Sequence, residues 1–277
     1  MQNIREFFGQ FSESKAFKII SVIFVLIVLW WITIHARGLT EGWENDYFTL
    51  SYSIIALLGG VYGWVYAKKW GGLKSVLGSS LGMFSFGLLA QFIGQLLYSY
   101  YIFVVGVEVP YPSIGDAVFF ISVLFYIYGA YLLAKVAGIK LSVGTLKGRL
   151  QAIFIPIIIL LASYLVLLRG YEFDFSQKVI IFLDFGFPIG QAVYVSIAIL
   201  ALLISKNILG GMMRKPIMLL IIALIVQFIA DFAFSYQFSH GTVYAGDILD
   251  LIYAVSYFLM AISLVSIGNM FYKVQES

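Results

Sequence analysis

No cysteine occurs in this chain, so a disulfide framework, a thiolate nucleophile and a cysteine-held metal are excluded, while redox compartment stays unread. Histidine is almost as scarce. The two present, His35 and His240, fall at helix ends on unrelated spacing, which gives no basis for a haem or metal site; neither a metal nor a cofactor is expected. Charge is the third deficit, with 11% charged residues against 62% hydrophobic over 277 positions. A soluble domain of that size cannot cover so much apolar surface, and the solvent is expected to be lipid. No lysine lies in the middle of an apolar run, which removes a retinal-type Schiff base. The formal charge of +3 sits in short clusters between the runs, not on one continuous face, so nucleic acid is not an expected partner.

What the chain has is apolar runs. Residues 1–16 carry Ile4, Phe7, Phe8 and Phe11 at helical spacing among Arg5, Glu6, Gln10 and Glu13, the pattern of an interfacial amphipathic helix on the cytoplasmic side. Runs long enough to cross a hydrocarbon core of about 30 Å follow at 17–36, 48–67, 77–101, 113–136, 150–168, 179–204, 217–238 and 247–271. The first is too long, and lacks the small-residue exit, for a cleaved signal peptide. The fold class is therefore all-α integral membrane, with eight transmembrane helices.

Arg5, Lys15, Lys18, Lys68, Lys69, Lys74, Lys135, Lys140, Lys147, Arg149, Lys206, Arg214, Lys215 and Lys273 fall on one side of these runs, and only Arg37, Arg169 and Lys178 on the other. The basic side is expected to be the cytoplasm of a cell membrane, with both termini there. Setting aside Glu6, Glu13 and Glu276, the remaining carboxylates lie outside or in the outer half of a span.

An internal repeat organises the chain. Gln91-Phe92-Ile93 to Ser99-Tyr100 matches Gln227-Phe228-Ile229 to Ser235-Tyr236, and each copy leads through a short loop to a Ser/Asp-x-x-Asp start, Ser113 and Asp116 or Asp247 and Asp250. Repeat one is expected over 17–136 and repeat two over 150–271, followed by a cytoplasmic tail at 272–277. Because each half holds an even number of spans, the two share one orientation, related by a pseudo-twofold along the membrane normal.

The candidate ligand-binding residues lie on polar stripes within the apolar runs. Asp231 is the strongest pointer: about 22 Å from the cytoplasmic end of its span at about 1.5 Å per residue, it costs roughly 2.5–3.5 kcal/mol to insert and calls for a partner. Gln227 and Ser235 share its face, and Gln91, Gln95 and Ser99 form the matching face in the other half. The same residues also suit plain interhelical hydrogen bonding. Asp184 precedes Pro188 by four positions, so the proline frees the carbonyl of residue 184, and Gln191 and Tyr194 continue that face. Asp116 and Asp250 stand at N3 of their helices, where capping accounts for them fully; closeness to the level of Asp184 and Asp231 is what makes them site candidates. Gly78-Ser79-Ser80-Leu81-Gly82 matches G-x-S-x-G only by accident, since no strand precedes it, and reads as a packing face. Trp30, Trp31, Trp43, Trp64 and Trp70 lie near interfaces and read as belt residues.

At this point a resemblance enters. Val109-Pro110-Tyr111-Pro112-Ser113-Ile114-Gly115-Asp116-Ala117-Val118-Phe119-Phe120 resembles the Pro-Phe-Pro-Ser-Leu-Ala-Asp-x-x-Tyr-Leu segment of multi-span sensor domains that precede diguanylate cyclase, phosphodiesterase or histidine kinase domains in bacteria. Gly241 to Tyr253 is similar to that family's Gly-x-Tyr-x-x-Gly-Asp-x-x-Asp-x-x-Trp motif, with Ser256-Tyr257 matching the step that follows. The likeness covers about 48–271, with Phe119 and Tyr253 replacing the usual Tyr and Trp. It implies a membrane-embedded input module, here stand-alone, whose signal passes to a separate cytoplasmic or membrane partner.

The expected function is a sensor-like ligand-binding module, more readily a non-enzyme, with an outward-facing acidic cavity between spans three, six and seven that takes a cation, a hydrogen-bonding ligand or a proton. The lipid bilayer is the first partner, and a second copy of the chain is left open. Two rivals stand beside it: a small-solute or cation transporter with a midplane site, and a membrane lipid hydrolase of the lysoplasmalogenase type, whose full motif order is not matched.

Overall fold

The computed structural model describes residues 14–136, 146–208 and 213–276. Among these, eight helices are long and apolar enough to cross a membrane: α1 (Lys15–Ala36), α2 (Trp43–Lys69), α3 (Val76–Val105), α4 (Ile114–Val136), α5 (Gly148–Leu168), α6 (Lys178–Leu203), α7 (Arg214–Ser239) and α8 (Ile248–Phe271). The expected spans are all present. Of the expected amphipathic helix, all but the last three residues lie outside the described residues, and Lys15 and Ala16 begin α1. The last helix continues to Glu276, through most of the expected tail.

Local chemistry sets the helix starts. Ser75 accepts from Gly78 N at 2.9 Å to open α3. At α4, Asp116 Oδ2 accepts from Ser113 N at 2.6 Å and Asp116 N donates to Ser113 Oγ at 3.3 Å, a reciprocal capping pair. At α8, Asp247 Oδ1 accepts from the backbone N–H groups of Leu249 and Asp250. These satisfy backbone donors that a helix start leaves over.

Six of the helices close into a ring: α2 packs on α3, α3 on α4, α4 on α6, α6 on α7, α7 on α8, and α8 back on α2. Helix α1 lies outside the ring against α8 and α2, and α5 lies outside against α6. In α5 only 6% of the most apolar stretch is buried, against 61% in α8, so its Ile153, Phe154, Ile157, Ile158 and Leu161 face outward, as lipid requires. The connections α1–α2, α3–α4, α5–α6 and α7–α8 meet at one end, here the acidic end; Arg37 and Glu44 pair there at 2.6 Å.

Small residues let the ring close tightly. Gly268 of α8 lies directly on the ring of Tyr66 of α2, where a Cβ would collide with it, and Tyr66 Oη donates to Asn269 Oδ1 at 3.0 Å. The tryptophans near the helix ends differ in burial. Trp43 is exposed, but Trp31 and Trp70 donate to the α8-side carbonyls of Asp247 and Ile267 at 3.0 and 3.1 Å, bracketing α8 near its two ends.

Gly268→Val should lower the melting temperature in detergent, through overpacking of about 1–3 kcal/mol, whereas Leu26→Ala on the outer face of α1, 59% exposed, should leave it unchanged.

Candidate functional site

The polar stripe on α7 is buried, with Gln227 at 0% and Asp231 at 9% exposure. Inside a helix the backbone N–H groups are already used, so a carboxylate there has to find donors on side chains. Asp231 finds three. Its Oδ2 accepts from Tyr194 Oη of α6 at 2.8 Å, and its Oδ1 accepts from Gln227 Nε2 at 2.9 Å and from Tyr253 Oη of α8 at 3.1 Å. One carboxylate thereby ties α6, α7 and α8. Ser235 Oγ donates back to the Asp231 carbonyl at 3.0 Å.

The two glutamines that open the repeated segments are bonded across helices. Gln227 Oε1 accepts from Ser256 Oγ of α8 at 2.9 Å. Gln91 Nε2 of α3 donates to Ser122 Oγ of α4 at 2.8 Å, and its Oε1 accepts from Tyr257 Oη of α8 at 2.9 Å. Helix α8 thus carries Tyr253, Ser256 and Tyr257 into both systems, and α3 reaches the Asp231 level through α8. Gln95 is 8% exposed and makes no side-chain hydrogen bond among the described residues. Gln191 is 3% exposed, with its Oε1 unpartnered.

The other acids lie nearer the acidic end, in two groups. Asp184 of α6 accepts from Tyr111 Oη at 2.5 Å and Tyr171 Oη at 2.8 Å, both on loops. Asp116 accepts from Tyr98 Oη as well as from Ser113, and Tyr111 feels both Asp184 and Asp116, so these acids flank one phenol. Across the ring, Asp250 Oδ2 accepts from Thr49 Oγ1 of α2 at 2.5 Å and Gly246 N at 2.7 Å. The eight candidates therefore fall into two interior hydrogen-bond systems that share α8, one around Asp231 and Gln227 and one at Gln91, two further buried glutamines, Gln95 and Gln191, and two clusters nearer the acidic end, around Asp184 with Asp116 and around Asp250.

Electrostatics at the acidic-end loops follow from these contacts. Partial burial, then the Asp184 carboxylate, push the Tyr171 hydroxyl up to about 12; burial and Asp184 also raise Tyr111. Burial raises Asp247, against the pull of two backbone N–H bonds. Exposed Asp174 is held low by hydrogen bonds from Ser176 and Gln177. Among the described residues no group of three His, Cys, Asp or Glu side chains could hold a metal; His35 and His240 each turn Nδ1 toward a carbonyl of their own helix, those of Trp31 and Tyr236.

The tyrosines are what sequence reasoning missed. Tyr194 is noted there only as a continuation of the Asp184 face, and Tyr253 and Tyr257 only as motif positions. A signal was present in α8, where Asp250, Tyr253 and Tyr257 recur at i, i+3 and i+7, one face of a helix. No family model, curated protein or solved structure matches this chain, so the reading of the site rests on its geometry.

Tyr194→Phe and Tyr253→Phe should each destabilise by about 1 kcal/mol, and Asp231→Leu by more, since it strands several buried donors at once; thermal unfolding of the single and double variants should show non-additivity between either phenol and Asp231. Because Tyr171 holds its proton more tightly when folded, its contribution to stability is complete below pH ~10 and is lost as pH rises through the folded value of about 12; Tyr111 is raised in the same direction. Ultraviolet titration should find a late-ionising phenol that Asp184→Asn returns toward the ordinary range.

Proposed function

We propose that the chain is a sensor-like ligand-binding module of the cell membrane, with the interior network around Asp231 as its responsive element. The carrying observation is that one buried carboxylate gathers hydrogen bonds from α6, α7 and α8 together. Whatever alters the charge or bonding of Asp231 is felt by three helices at once, which is what an input module needs. The acidic end is taken as the outside and both termini as cytoplasmic, because the basic residues cluster at the other end.

The two halves are read as repeats, and two correspondences support that. Exchanging α2, α3 and α4 with α6, α7 and α8 maps the order of the ring onto itself. The Gln91–Ser122 bond between α3 and α4 recurs as the Gln227–Ser256 bond between α7 and α8, at positions the sequence repeat pairs.

The distribution of polar groups favours sensing over transport. From the Asp231 level toward the basic end the ring is filled by Leu81, Phe84 and Leu88 of α3, Ile217, Leu220 and Leu224 of α7, and Met260, Leu264 and Val265 of α8, all buried. Serines at that depth donate to backbone carbonyls, as Ser80 does to Gly129 and Ser263 to Leu259. A solute path would need polar lining there. The hydrolase reading is weakened by Asp231 itself, whose three donors leave it poorly placed to take a proton from water.

Native mass spectrometry of the mildly solubilised protein should show a retained small molecule on the wild type that is absent from an equally stable Asp231→Asn variant. Identical retained masses on both proteins would sink the assignment. No retained species, together with solute uptake into proteoliposomes, would replace sensing by transport.

A further inference from the structure

We propose that the ring interior beside Asp231 holds a small uncharged hydroxylic molecule, gripped between Tyr126 of α4 and Gln191 of α6; this rests on the reading of that interior as a ligand site and names the chemistry the site takes. Two polar atoms there have no protein partner, Tyr126 Oη and Gln191 Oε1. Their residues are 0% and 3% exposed. Buried hydroxyl and amide atoms in native proteins are nearly always satisfied, by protein or by an ordered molecule.

The two side chains stand at one depth on neighbouring helices, α4 and α6. Tyr126 lies about 18 Å from Ile114 and Gln191 about 20 Å from Lys178, at about 1.5 Å per residue. The helices touch at Gly190, where a Cβ would come 2.6 Å from Val123, next to Gln191 on α6 and three residues before Tyr126 on α4. The Tyr126 ring is pinned against the backbone of Gly87, where a Cβ would collide with it, and between the rings of Phe84 and Tyr194 at 6.4 and 6.0 Å.

The unmet atoms define what fits. Tyr126 offers an O–H donor and Gln191 a carbonyl acceptor, and a single hydroxyl oxygen answers both. A cation would take both oxygens but leave the phenolic proton without an acceptor; an anion would take that proton but face the Gln191 carbonyl oxygen. Asp231 adds no demand for a cation, since its oxygens already take Tyr194, Tyr253 and Gln227. The charged or titratable groups facing this space are Asp231 of α7, Tyr194 of α6, and Tyr253 and Tyr257 of α8, with no cationic side chain among them. Water meets the description, needing at least two polar partners. So does the hydroxyl of a small alcohol or polyol.

The test is a crystal structure of the protein grown in a lipid mesophase without glycerol or other polyol, at a resolution that shows ordered water. Density within hydrogen-bonding distance of both Tyr126 Oη and Gln191 Oε1 is expected; a single-oxygen peak identifies water, and an extended peak with a matching mass in native mass spectrometry identifies a solute. A dry interior, or a direct Tyr126–Gln191 bond, overturns the proposal. Tyr126→Phe, which keeps the ring and its packing, supplies a second readout. Loss of a satisfied hydroxyl should lower the melting temperature by roughly 2–4 °C, whereas loss of an orphaned one would leave it unchanged or raise it, and that sign would also overturn the site. The two failures are separable. An Asp231→Asn protein with unchanged retained mass removes the responsive role of Asp231 and leaves the density standing, while a dry interior removes this site whatever Asp231 does.

Discussion

A carboxylate in the interior of a membrane helix has no backbone to lean on. Each N–H of the surrounding turns of α7 is committed along the helix, and the hydrocarbon supplies no water. Asp231 is tolerated because three side chains are aimed at it from α6, α7 and α8. That requirement fixes more than one residue. Tyr194 and Tyr253 must present their hydroxyls at one level, which sets the rotation of α6 and α8 about their axes, and the placing of α8 in turn brings Ser256 to Gln227 and Tyr257 to Gln91.

The acids nearer the loops meet the same constraint more cheaply. Asp116 and Asp250 stand in the first turn of their helices and each takes a backbone N–H, from Ser113 and Gly246. Asp247 takes two. The capping roles of Asp116 and Asp250 are complete without any ligand, whereas Asp247 Oδ2 is buried with no hydrogen-bond partner among the described residues. Asp184 lies between the two situations: it is one turn and more into α6, and it draws its donors from two loop tyrosines, so it holds the α3–α4 and α5–α6 loops together at the acidic end.

Much of the fold was legible because it follows from local composition. An apolar run of sufficient length has one outcome in lipid, so the spans expected at 17–36 and 113–136 recur as Lys15–Ala36 and Ile114–Val136. The second span was expected from residue 48 and starts at Trp43, because the acidic turn around Glu44 and Asp46 is helical; Asn45 secures it by donating to the carbonyls of Leu39 and Ala245. That last contact joins residues 200 apart, and no window along the chain contains it. The site divides in the same way. Asp231 and Gln227 were legible because their cost in lipid marks them, whereas Tyr194, Tyr253 and Tyr257 were not, since 19 tyrosines and 25 phenylalanines make any one aromatic ring unremarkable by type. Which phenol meets which acceptor depends on helix order and rotation, and the order of the ring, with α1 and α5 left outside, is not a property of any single helix.

Depth then separates what the polar groups can do. Toward the acidic end the carboxylates are held by caps and loops, and a perturbation there moves a loop. At the level of Asp231 the partners are rigid helices on both sides of the closing contact between α7 and α8, and further toward the basic end the packing is apolar, with Leu220, Leu224, Leu264 and Met260 fully buried. A change at Asp231 is therefore not relieved by solvent or by a flexible segment. It has to be taken up by a shift of α6 or α8 relative to α7, and because the ring is closed through α2, a shift of α8 also loads its contacts with α2, where Gly268 on Tyr66 leaves little slack. In the proposed reading, a buried, helix-bridging carboxylate above an apolar half converts a local change in bonding into a change in helix arrangement, which is the physical argument for treating this interior as an input site.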